Sequence, residues 1–95
     1  MAGFRLMQGA VTKAVAHRSV EEIWYVTDGN GRIWRKFADR EEVTILEPGV
    51  SLTIGTGTQF QFRCDGTAPL EIIAVTMPPW PGADEAHFVD AKWSR

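Results

Sequence analysis

The chain is poor in most of the features that betray a function. It has one cysteine, Cys64, so no internal disulfide can form, which fits a reducing compartment. Nothing around Cys64, which stands next to a turn signal, marks it as a low-pKa nucleophile. Lysine and arginine number 10 against 12 acidic residues, for a net charge of -2, and no basic block occurs. That excludes a surface built to track phosphates, so no nucleic-acid partner is expected. Long apolar runs are missing as well. The longest, Ile72 to Met77, is interrupted by Thr76 and is far too short to cross a bilayer. The opening MAGFRLMQGA is broken by glycines and lacks the apolar core of a signal peptide. The expectation is a cytoplasmic protein with no membrane partner. No repeat, linker or second domain is visible, so the 95 residues, 1–95, read as one domain. A chain of this size buries about 60–65% of its unfolded surface and holds one modest core.

What is present is aromatic. Four Trp and five Phe are generous for the length, and each ring brings a large area to bury. The pattern along the chain is that of strands. Phe4 to Met7 reads as a short edge strand. From Val11 the chain alternates, with Val11, Lys13, Val15 and His17 on one face. Ser19 and Glu22 have the spacing of a helix capping box. The following Ile-Trp-Tyr-Val-Thr is β-branched and aromatic, however, and Asp28-Gly29-Asn30-Gly31 then reads as a hairpin turn. Arg32 to Phe37 is the returning hairpin strand, Ala38 to Glu41 a charged loop and Glu42 to Leu46 a further strand. The run Asp39-Arg40-Glu41-Glu42 is a solvated stretch. Glu47-Pro48-Gly49 turns the chain. Val50, Leu52 and Ile54 alternate up to Gly55-Thr56-Gly57, and Phe60 and Phe62 alternate after it. Leu70 to Met77 is apolar enough to be buried on both faces. Many short strands between regular turns predict an all-β sandwich or barrel. The tail, 78–95, opens with Pro78-Pro79-Trp80-Pro81-Gly82, which cannot join a sheet interior because proline lacks the ladder donor. It is expected to run extended on its own barrel or a partner chain, with Trp80 as anchor.

Two glycine-framed stretches, 9–29 and 49–64, carry a resemblance. The first runs Gly9, five residues, Val15, Ala16, His17, four residues, Glu22, six residues, Gly29. The second runs Gly49, five residues, Gly55, Thr56, Gly57, two residues, Phe60, three residues, Cys64. Together they resemble the two motifs of the cupins, G-x5-H-x-H-x3-4-E-x6-G and G-x5-P-x-G-x2-H-x3-N. The resemblance implies a jelly-roll barrel, or double-stranded β-helix, and a homodimer. The glycines kept are those a barrel corner needs for its backbone torsions. The positions lost are ligand positions: Val15, Phe60 and Cys64 stand where the family has histidine, histidine and asparagine. A typical cupin holds its metal through two His and one Glu of the first motif and one His of the second. Here only His17 and Glu22 remain, which implies no cofactor or a weakly held Zn, Fe, Mn or Ni. Gln59 turned inward by a bulge, or His87 folded back from the tail, would each add a third ligand.

By the two-residue period Glu22, Trp24 and Val26 share the inward face, opposite Phe60 and Phe62. This predicts an apolar ligand cavity with one polar corner at His17 and Glu22. His17 and Glu22 are also candidates for an acid–base pair, histidine being the side chain that changes charge near neutral pH; the plainer alternative is that they are remnants of a metal site, hydrogen-bonded to each other. Arg35, if its strand register turns it inward, is placed to clamp a substrate carboxylate; the alternative is that it pairs with an acidic neighbour or faces solvent. Lys13 either reaches the cavity mouth or snorkels to water. Trp34 is expected on an outer face with Tyr25, against the tail or a partner. The leading expectation is a small-molecule-binding cupin with an incomplete metal centre. The alternatives are an enzyme, either metal-dependent (dioxygenase or isomerase type) or a metal-free acid–base catalyst, and an interaction module whose barrel is filled by side chains.

Overall fold

A computed structural model describes residues 2–79, 81–82 and 85–94; Trp80, the expected anchor, lies outside the described residues. The described residues form nine strands and no helix: β1 (Ala2–Leu6), β2 (Val15–His17), β3 (Glu21–Asp28), β4 (Gly31–Phe37), β5 (Arg40–Leu46), β6 (Ser51–Ile54), β7 (Gln59–Cys64), β8 (Leu70–Met77) and β9 (Ala86–Phe88). No helix long and apolar enough to cross a membrane occurs among them. All pairings are antiparallel, in a four-stranded sheet of order β1-β8-β3-β6 and a five-stranded sheet of order β5-β4-β7-β2-β9. The sheets face one another as a jelly roll, as the spacing of turns predicts.

Alternation decides what goes between them. Along β3, Glu22, Trp24 and Val26 are buried while Ile23 and Tyr25 are exposed. Ile33, Leu46, Ile54, Leu70 and Ile72 join Trp24 and Val26 in the core. Each such side chain contributes about 1.5–3 kcal/mol of burial. Four motif glycines, Gly9, Gly29, Gly49 and Gly57, have φ of 77°, 85°, 93° and 81°.

Several expectations are corrected. Asp28 to Gly31 does not close a hairpin, because β3 and β4 belong to different sheets. The glycines there serve close approach: a Cβ on Gly29 would stand 2.4 Å from the Pro69 carbonyl oxygen, and one on Gly31 would stand 2.0 Å from that of Arg63. The tight hairpin lies one strand later, where Phe37 pairs with Arg40 and Ala38 takes φ 56°; the strand therefore starts at Arg40, inside the expected loop. β8 is covered on one face only. Leu70, Ile72 and Ala74 point inward, whereas Ile73, Val75 and Met77 join Ile23 and Tyr25 on the outer face, 38% to 49% exposed. Trp34 does not share that face. It sits on the outside of the other sheet, buried, with its indole N–H donating to Glu41 at 2.8 Å.

The tail packs on its own barrel. β9 adds to β2 as an edge strand. Beyond it, Gln61, fully buried on the outer face of β7, accepts from the N–H groups of Lys92 and Trp93 at 3.0 and 2.8 Å. Its amide donates to the carbonyls of Trp93 and Thr12, both at 2.9 Å. The Trp93 ring lies against the guanidinium groups of Arg32 and Arg63, at 5.6 and 5.5 Å. Both arginines bond to Asp65, and the Arg32 hydrogen bond in particular holds the Asp65 carboxyl below its usual range.

Candidate functional site

The cavity opens between the two sheets, on the side where β2 of one sheet faces β3 and β8 of the other. The approach to β2, from Val11 to Ala14, is held by a bridge from Val11 to Arg63 and by the Thr12 N–H, which donates to the Phe62 carbonyl at 3.0 Å. The Thr12 hydroxyl secures that approach, donating to the Phe62 carbonyl at 3.2 Å and accepting from the Phe62 N–H at 3.1 Å. His17 thus ends a strand of one sheet, and Glu22 begins a strand of the other. Their side chains meet across the gap, Nε2 to Oε2 at 3.0 Å, with both residues buried (4% and 3% exposed). The second carboxylate oxygen of Glu22 accepts from the indole N–H of Trp24 at 2.7 Å. A buried carboxylate needs such donors, and here two rings supply them.

Aromatic edges build the rest of the wall. Trp24 meets Phe60 and Phe62 nearly edge to face, with centroids 6.0 and 4.8 Å apart, and His17 meets Phe60 in the same way at 5.2 Å. These are the arrangements ring quadrupoles favour. The open cavity has a volume of about 720 Å³, within the range of small-molecule sites. The barrel is therefore not the solid plug of side chains that a filled interaction module requires.

Five of the seven expected site residues meet at this cavity: His17, Glu22, Trp24, Phe60 and Phe62. Gln59 and Arg35 do not line it. Gln59 pairs with Ala16 and Lys36, on the opposite parity from Phe60, and no bulge brings it inward. Arg35 does have the inward parity of Ile33, but its guanidinium turns away from the cavity. It donates to the Thr53 carbonyl (2.9 Å) and the Thr44 hydroxyl (3.0 Å), pairs with Glu42 (2.8 Å), and lines a separate opening of about 290 Å³. His87 aligns with Ala16 on β2, one position off the Ala86–His17 pair, and so faces the other side of the sheet from His17. Among the described residues no three His, Cys, Asp or Glu side chains cluster as metal ligands.

The sequence reading missed the rest of the wall formed by the sheet that carries Glu22 and Trp24. Phe4, Ala74 and Thr76 line the cavity, with Ala74 opposite Trp24 and Thr76 opposite Glu22. The only local signal was a small residue at one inward position of an otherwise bulky strand. Also missed was Glu85, which fastens the turn between His17 and Glu22. Its buried carboxylate accepts from the Ser19 N–H (2.6 Å), the Ser19 hydroxyl (2.5 Å) and the Val20 N–H (2.9 Å). Its carbonyl accepts from Arg18 N–H at 2.8 Å. Burial alone raises the pKa of Glu85, but the Ser19 hydroxyl, the two backbone donors and nearby His17 outweigh it and bring the group down to about 2. From the other side, Gly57 N–H donates to the His17 carbonyl at 3.1 Å.

Two facing antiparallel sheets around an open, aromatic-walled interior define a double-stranded β-helix. The sequence agrees: residues 4–76 match the family described as Cupin domain (Cupin_2), and the chain belongs to the cupin family. No curated protein matches the sequence. Among solved structures, the capsular polysaccharide assembling protein CapF of Staphylococcus aureus superposes with a TM-score of 0.83 at 14% identity, over 94% of this chain and 27% of CapF. A Klebsiella pneumoniae protein with a double-stranded β-helix domain gives 0.77 at 17% identity, over 94% of this chain and 72% of that one. The oxalate decarboxylase of Lactobacillus farciminis, in a formate complex, gives 0.81 at 16% identity, over 92% of this chain and 25% of the enzyme. The chain spans 27% to 58% of the first three structures it resembles. At these identities the likeness establishes the fold.

Proposed function

We propose that this cupin binds a small apolar or aromatic molecule inside its barrel, with one polar group of the ligand directed at His17 and Glu22. One observation carries the reading: an aromatic cavity of about 720 Å³ has its buried polar atoms gathered at a single corner. Apolar walls with a few convergent polar groups are the usual anatomy of a small-molecule site. The same corner supports a reading as an incomplete metal centre. Both donors are occupied, Glu22 by His17 and Trp24, and Val15 and Phe60 stand where further ligands would be needed. That donor set does not fit a tightly held ion. Elemental analysis of protein purified without a histidine tag should give far less than one metal per chain; one ion per chain would overturn the assignment.

The binding test is crystallographic. Crystals soaked in one-ring aromatic compounds should show ligand density between Trp24 and Phe60, against the His17–Glu22 pair. Thr76→Phe, which puts a ring into the cavity beside Glu22, should abolish it. Soaks that leave the cavity empty at saturating concentration count against binding.

A second reading is favoured by the 3.0 Å contact itself. A histidine beside a carboxylate in an apolar pocket can move a proton for an isomerisation or elimination without metal. Turnover that survives His17→Ala unchanged would remove this reading. The cellular setting proposed is the cytoplasm, consistent with a single buried cysteine. The functional unit proposed is a homodimer, for which the apolar outer face formed by Ile23, Tyr25, Ile73, Val75 and Met77 is suited.

A further inference from the structure

The polar groups of the cavity are not evenly placed. At the inner end the Glu22 carboxylate is tied to two ring donors, His17 and Trp24. Toward the opening stands Lys13, the one lysine or arginine among the described lining residues. Its ammonium lies 4.7 Å from the centre of the Phe88 ring. Phe88 belongs to β9, pairs with Val15 on β2 and shares the cavity-facing side of that strand. It is 71% exposed, so its ring is not held there by burial in the core. A cation over an aromatic face is attracted by the ring's quadrupole. The contact also restricts a side chain that would otherwise wander in solvent. Lys13 thus places a positive charge at the rim of an apolar chamber, and no acidic side chain among the described residues pairs with it.

We infer that the cavity selects aromatic carboxylates: the ring lodges among Trp24, Phe60 and Phe62, and the carboxylate stays at the mouth on the Lys13 ammonium. The orientation follows from charge. A carboxylate directed inward would meet Glu22, and like charges in a low-dielectric pocket repel strongly. Directed outward, it meets Lys13 and keeps part of its hydration. The inner end then accepts a hydroxyl or other donor on the ring, since carboxylate oxygens take more than one hydrogen bond.

This inference rests on the reading of the cavity as a binding site, and calorimetry separates the two. Phenylacetate and its uncharged isostere phenylacetamide are titrated into the wild type, Lys13→Met and Lys13→Arg at low ionic strength. Phenylacetate should bind about tenfold tighter than phenylacetamide, equivalent to about 1.4 kcal/mol. Lys13→Met should erase that preference, and Lys13→Arg should keep most of it. Added salt should weaken phenylacetate alone. Equal affinities in the wild type, or a preference that survives Lys13→Met, overturns the charge assignment and leaves the cavity standing. If neither compound binds, the cavity reading falls and this inference falls with it.

Discussion

Replacing His17 by leucine strips the Glu22 carboxylate of one of its two donors and leaves it buried with Trp24 alone. Breaking a buried pair on one side costs about 3 kcal/mol or more. Glu22→Gln keeps an oxygen for the Trp24 indole and should cost about 1 kcal/mol. The two losses, measured by urea unfolding, should not add in the double variant, with a coupling of about 0.5–3 kcal/mol; strict additivity would mean that the pair does not interact. Glu85 makes the second prediction at this scale. Its folded pKa of about 2 lies below the ordinary 4.5. A lowered carboxyl pKa contributes stability that is complete above the unfolded value and is lost as pH falls through the folded one. Glu85→Gln should therefore be less stable than the wild type near pH 6, with the gap narrowing between about 4.5 and about 2. A gap that stays constant across that window would contradict the clamp. His17 and Glu22 were legible because the glycine frame fixes their distance along the chain. Lys13 was legible from strand parity, although parity alone left open whether it reaches the mouth. Glu85 was not, since its partners lie 65 and 66 residues away in sequence.

Among the elements, those read correctly are those whose signal is local. Alternation along β3 gave its inward face, and Glu47-Pro48-Gly49 gave the turn before β6. Errors arose where a neighbouring sheet decides the outcome. Asp28 to Gly31 has hairpin composition, yet β3 and β4 part into different sheets, and the glycines serve the backbones of Pro69 and Arg63. The true hairpin uses Ala38 at a left-handed torsion, a residue that announces no turn. Trp34 looked like an outer-face aromatic and is one, but Glu41 and the side of the sheet that receives the tail bury it. Gln61 explains how that tail is held. One amide makes four hydrogen bonds in a dry position, and no period in the sequence distinguishes it from Gln59. Gln61→Leu leaves two backbone N–H groups and two carbonyls short of a partner. The expected loss is about 2 kcal/mol or more. Hydrogen exchange should quicken first at Lys92 and Trp93, with β3 and β8 unaffected. Uniform exchange throughout the chain would mean the tail is not a separate unit.

For the whole molecule, one barrel carries two distinct ends of chemistry. The end near β2 is apolar and open, with His17, Glu22 and Lys13 placed along its depth. The end near the β4–β5 hairpin is polar, with the terminal nitrogens of Arg35 bonded to Thr53, Thr44 and Glu42. Fold assignment followed from the glycine frame because corners constrain backbone conformation. The ligand did not, because one jelly roll hosts many chemistries. The three described tryptophans report on different surfaces: Trp24 on the cavity, Trp34 and Trp93 on the outside. Titrating 15N-labelled protein with phenylacetate and following the indole N–H signals therefore tests the cavity directly. The Trp24 signal, whose proton is shared with Glu22, should move saturably while those of Trp34 and Trp93 stay in place. A Trp24 signal that does not move at saturating ligand, or equal movement of all three, would contradict a ligand seated between the sheets.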